Sequence, residues 1–239
     1  MKKMMMVFFL MLCLFAAAAA GEGIAYDEYV TTSSNGYTCK VLFEHDVLEK
    51  EYELAEDITS VFHAYYPAMF ERYGAGEPKP VEVNVFSGTA HPDQLTSWSC
   101  SVHNHIFISR ESFDTSDINM LYLVMHLAQL AQGQYPVVDA DEHILTLYKA
   151  MAVYMGEELY DCPKAEYDLH RLYETYEEYL NSEYGMADFI GWVAKEWKMN
   201  DLPVQLNAAL REGAYDKSFW SFTGMEFDAL FEMYGGLGL

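Results

Sequence analysis

The stretch Leu121-Tyr122-Leu123-Val124-Met125-His126-Leu127-Ala128-Gln129 organises the reading of this 239-residue chain. It lies in a run over residues 116–132 that reads as one helix, with Thr115 or Ser116 placed to cap the first turn through a side-chain oxygen. On a helix, positions 122 and 126 stand one turn apart on one face, and 123 sits beside the first of them. His126 is the single histidine of this apolar run. Such a residue is ordinarily part of a core or cleft wall, with one ring nitrogen satisfied.

Working outward, residues 38–43 alternate as a first strand. Residues 47–73 carry apolar side chains at helical spacing (Leu48, Tyr52, Leu54, Ile58, Val61, Phe62, Tyr65), with Pro67 as the expected break. Residues 81–86 and 105–109 are short β-rich runs separated by a polar loop through Gly88 and Pro92. Residues 21–36 read as a polar leader with a loop at 31–35. Residues 141–159 form the next helical pattern, and past Cys162 every periodic segment is helical: 165–180, 186–197, 202–212 and 226–234. Strands early and helices late predict an α+β domain over residues 37–234, with a small N-terminal sheet, long helices and an all-helical C-terminal half. Tyr167, Tyr173, Tyr176 and Tyr179 fall near helical spacing with Leu169, Leu172 and Leu180. A face packed on the core accounts for them, and a carbohydrate-stacking platform is the alternative.

Fourteen Lys and Arg against 37 Asp and Glu give a formal charge of −23. A chain without a basic face does not neutralise phosphates, so nucleic acid and anionic membrane surfaces are excluded as expected partners. Met1-Lys2-Lys3, an apolar stretch to Phe15 and Ala16 to Ala20 before Gly21 have the order of a secretory signal peptide over residues 1–20. A membrane anchor is the alternative, but the apolar run of about seventeen residues is short for a span. Leu12 before Cys13 is too large for a lipoprotein cleavage site. Cleavage removes two lysines and no acid, moving the charge from −23 to −25. The expected location is therefore secreted or periplasmic, with no membrane association after processing. Cys39, Cys100 and Cys162 remain and allow at most one internal bridge. Cys39 and Cys100, near predicted strands, are the expected pair, leaving Cys162 free or buried.

An H-E-x-x-H helix sets two histidines one turn apart on one Zn²⁺, with a glutamate beside the first acting as general base on the metal-bound water. Laid on residues 122–126, the second histidine falls on His126, the first on Tyr122 and the glutamate on Leu123. A leucine takes no proton, and a tyrosine is a poor zinc ligand at neutral pH. Further along come Ala150-Met151-Ala152-Val153-Tyr154 and then Phe189-Ile190-Gly191-Trp192. After these follow Leu206-Asn207, Leu210-Arg211-Glu212-Gly213-Ala214-Tyr215, Phe219-Trp220, Thr223-Gly224, Phe227-Asp228-Ala229-Leu230-Phe231 and Tyr234. In order and spacing these segments resemble the basic secretory protein family, zinc-peptidase-like proteins of plants and bacteria, across residues 37–234. The resemblance implies a zincin-like domain. It places the family's third ligand, a glutamate, on Lys149, where an ammonium would repel a dication. It implies a cleft lined by His126, Gln129, Lys149 and Tyr184, with Tyr122, Leu123, His126 and Lys149 as degenerate catalytic positions and His126 alone left as a metal ligand. The acidic charge of this chain departs from the family's basic character.

Two other constellations carry weaker signals. His103 and His105 are two apart on a predicted strand and share a face. Asp139-Ala140-Asp141-Glu142-His143 echoes an inverted zincin motif, although acids at a helix start are favoured by the macrodipole alone. No nucleophile elbow, phosphate loop or dinucleotide fingerprint is present. The functional expectation is a secreted, non-catalytic relative of metallopeptidases, with no cofactor and with an unknown peptide or protein as ligand. The alternative is an active metallopeptidase or other hydrolase with a zinc site rebuilt around His126.

Overall fold

Alternation of apolar residues along Thr38–Phe43, Val81–Phe86 and His105–Ser109 builds the centre of the fold. In the computed structural model, which describes residues 27–43, 49–86, 97–100, 104–113, 118–133, 142–159, 173 and 175–237, these segments form strands of one five-stranded sheet. Strand β1 (Asp27–Thr32) pairs antiparallel with β2 (Thr38–Phe43) through a turn in which Gly36 takes a φ of 87°. Helix α1 (Glu49–Tyr73) crosses over, so β3 (Val81–Phe86) lies parallel to β2, with Cys39 opposite Val81. Strand β5 (His105–Ser109) is parallel to β3, and β4 (Ser97–Cys100) closes the far edge antiparallel to β5. The order is β1-β2-β3-β5-β4.

One face of the sheet is apolar: Cys39, Val41, Val81, Val83, Ile106 and Ile108 are buried there. Helix α1 supplies Ile58, Phe62, Met69 and Tyr73 to the same core, on the i, i+4, i+7 stripe expected of a core-facing helix. On the opposite face Lys40 bridges Glu28 (3.0 Å) and Glu82 (3.6 Å), and His105 lies 3.7 Å from Glu82. Next come α2 (Ile118–Gln132) and α3 (Glu142–Leu159), packed side by side as the sequence predicts. The C-terminal part is helical: α4 (Tyr176–Leu180), α5 (Glu183–Glu196), α6 (Leu202–Arg211), a 3-10 turn at Lys217–Thr223 and α7 (Phe227–Gly235). Its core is aromatic. The Phe189 ring lies 5.1 Å from Trp220, 5.3 Å from Phe231, 5.6 Å from Tyr234 and 5.8 Å from Phe227. The aromatic spacing of the C-terminal sequence pattern therefore spells this cluster.

Several expectations need correction. The polar leader contains β1, an edge strand. Pro67 does not break α1: buried Tyr66, Met69 and Tyr73 anchor the helix on both sides of it. The helix predicted over 165–180 is not continuous: Thr175 is extended and caps a separate helix from Tyr176 in a capping box with Glu178, while residues 165–172 and 174 lie outside the described residues. Cys39 is free and buried, its thiol pushed up to about 12 by burial. It sits on β2 and Cys100 on β4, three strand spacings apart. That is about 14 Å, twice the reach of a disulfide. The leader at 1–20, Cys13 and Cys162 also lie outside the described residues. Among the described residues no helix is long and apolar enough to cross a membrane.

Candidate functional site

Helix α2 fixes which way each position of the degenerate motif points. Leu123 is 0% exposed, with Val124, Leu127, Leu130 and Ala131 also buried. The general-base position is thus a core position. Tyr122, one residue earlier and about 100° around the helix, is 42% exposed. His126, one turn on, has its ring enclosed. Its Nδ1 lies 3.1 Å from Oε1 of Gln129, and its Nε2 is buried without a partner. An amide oxygen only accepts, so Nδ1 carries the proton and Nε2 keeps a lone pair. Burial pushes the His126 pKa down to about 4, against a smaller upward pull from the Gln129 bond. The imidazole is neutral at pH 7.

Helix α3 runs antiparallel to α2. A Cβ at Gly156 would lie 3.6 Å from Val124 and 3.9 Å from Met125. At the other end the Tyr148 hydroxyl reaches the carbonyls of Gln129 (3.2 Å) and Gly133 (3.4 Å), and Gln132 donates to the Tyr148 carbonyl at 3.1 Å. These contacts set Lys149 level with the last turns of α2, and its side chain is exposed. Lys149 therefore keeps its ammonium in water rather than taking the buried partner expected of it. Tyr184 comes from α5. Burial raises its pKa, and electrostatic coupling to Tyr122, Glu183, Tyr173 and Glu157 adds to the rise. Of the expected cleft residues, His126 is hydrogen-bonded to Gln129, Tyr184 feels Tyr122 electrostatically, and Lys149 is exposed.

Zinc does not fit these residues. Two of the positions where the resemblance would set ligands, Tyr122 and Lys149, hold an exposed phenol and an exposed ammonium, and the expected base position, Leu123, holds a core alkyl group. Among the described residues no three His, Cys, Asp or Glu side chains converge on a possible ion. His126 does share one trait of metal-binding histidines, a fixed Nδ1–H with the other nitrogen left as an acceptor. One such nitrogen is not a site.

The weaker histidine constellations resolve otherwise. His105 faces Glu82 across the sheet; His103 lies outside the described residues, as do Asp139 and Asp141. His143 packs into the aromatic region, with Nε2 3.1 Å from the Tyr215 hydroxyl, which accepts from Trp220 Nε1 at 3.0 Å. Its ring meets Phe227 edge-on at 4.7 Å. Sequence reasoning missed a clamp that the Leu206-Asn207 and Leu210-Arg211 pattern encodes. Asn207 and Arg211, four apart on α6, both donate at 2.8 Å to the carbonyl of Tyr73, the last residue of α1. Arg72 and Tyr73 in turn bind Glu158 of α3 at 2.8 and 2.7 Å. The i, i+4 pairing of two donors was the available signal. No family model, curated protein or solved structure matches this chain.

Proposed function

We propose that this protein is a secreted, non-catalytic relative of the zinc-peptidase-like basic secretory proteins, a pseudo-metallopeptidase whose helical scaffold serves to bind a peptide or protein. The observation that carries the reading is the complete burial of Leu123 in the core together with the exposure of Lys149. A base must reach a metal-bound water, and a third ligand must turn inward; neither position is free to do so without repacking. The antiparallel pairing of α2 with α3 and the aromatic closing pattern around Phe189 support the scaffold half of the reading.

A second reading is favoured by one feature, the buried and unpartnered Nε2 of His126. It would belong to a hydrolase in which residues outside the usual pattern complete a zinc site. A hydrolysis assay separates the two. Incubation with unfolded protein substrate and micromolar zinc is expected to give no cleavage above background. Cleavage that is stopped by a chelator and lost in His126→Ala would overturn the non-catalytic reading.

A further inference from the structure

Tyrosines from α4, α5 and the segment before α4 form a row, with Tyr122 of α2 within electrostatic reach of its Tyr184 end. The Tyr184 ring centroid lies 6.5 Å from Tyr173; Tyr173 lies 5.8 Å from Tyr179, and Tyr179 stacks on Tyr176 at 6.1 Å. The two ends of the row are the open ones, Tyr122 at 42% and Tyr176 at 39% exposed. Residues 150–159 and 175–194 contain Glu157, Glu158, Glu177, Glu178, Glu183 and Asp188 and no Lys, Arg or His, with Lys149 and Lys195 just outside these ranges. Some of these acids have work in the fold. Asp188 accepts from the Tyr179 hydroxyl, and Glu158 holds Arg72 and Tyr73. Burial is the first cause that raises the phenols of Tyr173, Tyr179 and Tyr184, against a lowering hydrogen bond from Ser182 at Tyr173 and with help from Asp188 at Tyr179, so they stay neutral and present electron-rich faces.

We propose that this tyrosine row is the docking surface for a lysine- or arginine-rich peptide segment. It rests on the peptide-binding reading above for the placement of Tyr122 and Tyr184. Charge complementarity selects the occupant. A cationic side chain lays its alkyl stem on apolar ring and its charge against a π face beside carboxylates, whereas an acidic peptide is repelled from a chain of net charge −23. A neutral sugar would stack on the same rings and could donate hydroxyls to the acids, but it gains no net charge attraction from them.

The test is calorimetric titration with acetyl-hexalysine amide at low salt, beside hexaglutamine and hexaglutamate. Only hexalysine is expected to bind. Tyr122→Ala and Tyr176→Ala should each weaken it about three- to fivefold, the loss of one exposed cation–π contact. Glu183→Gln should act in the same direction, while Tyr122→Phe, which keeps the ring, should bind like wild type. Glu53→Gln with Glu56→Gln, about 28 Å along α1 from Arg72, should change affinity less than about twofold. The proposal is overturned if hexalysine does not bind, or if the α1 pair weakens it as much as the tyrosine variants, which would mean diffuse attraction. Binding of a chito-oligosaccharide that the tyrosine variants abolish would also overturn it. Zinc-dependent hydrolysis would sink the non-catalytic reading and leave this surface standing, so the two fail separately.

Discussion

At the scale of single residues, His126 sets the acid response of the core. Its folded pKa, about 4, lies below the ordinary histidine value of 6.5. The unfolded chain therefore binds the proton first as pH falls. Its contribution is complete above pH 6.5 and is lost as pH drops toward 4, an effect on the order of 3 kcal/mol. His126→Leu removes that term and an unsatisfied buried acceptor, whose burial costs about 1–3 kcal/mol. We expect urea unfolding of the variant to match or exceed wild type at pH 7.5 by up to about 1 kcal/mol, with a visibly flatter stability profile between pH 6.5 and 4.5. A variant with an unchanged profile would show that the ring is not enclosed. That residues 122, 123 and 149 supply no base and no zinc-binding carboxylate or imidazole was legible in the sequence, because it depends on residue type alone. The outward direction of Lys149 was not. Apolar residues flank it on both sides (Leu147, Ala150, Met151), so the pattern leaves the rotation of α3 about its axis open until α2 and α5 are packed on it.

At the scale of elements, two joints hold the helices in register. The Tyr73 carbonyl at the end of α1 takes donors from Asn207 and Arg211 together. Removing either leaves the acceptor satisfied; removing both strands it. Asn207→Ala should cost about 1–2 kcal/mol and Arg211→Ala about 1. Their double-mutant cycle should show a coupling of about 1 kcal/mol beyond the sum, and strict additivity in the unfolding midpoints would refute the shared cap. The second joint is Gly185, in the first turn of α5. A Cβ there would fall 2.2 Å from the Tyr179 carbonyl oxygen and 2.7 Å from Leu180 Cα, both backbone atoms. Gly185→Ala should destabilise by about 2 kcal/mol or more, although alanine is the better helix former by about 1; a stabilised variant in thermal melts would show that α4 and α5 are not in contact. Element types with strong periodicity were legible, as in β2, β3, β5 and α5 to α7. Strand β1 was not, since Asp27-Glu28-Tyr29-Val30-Thr31-Thr32 is mostly polar and is held by pairing with β2 and by a 2.8 Å bond between Thr31 and His63 of α1. The four residues of β4 are too few for a period to declare itself.

At the scale of the whole molecule, an α+β body carries its strands on one side of a shared core and its aromatic-rich helices on the other, with an excess of acid over its surface. If the chain is exported as its first twenty residues suggest, N-terminal sequencing of protein recovered from the medium should begin near Gly21; Met1 on a soluble intracellular product would remove export from the account. The central proposal is that the helix bearing Tyr122, Leu123 and His126 is a peptidase-type helix that holds no metal. Tight zinc binding needs three or four convergent ligands, and among the described residues no three His, Cys, Asp or Glu side chains, His126 included, converge on one point. Calorimetric titration of the purified protein with Zn²⁺ at pH 7.5 tests this most directly. Binding weaker than about 10 μM, unchanged in His126→Ala, is the result the account predicts. Sub-micromolar binding of one zinc per chain, abolished by His126→Ala, would contradict it.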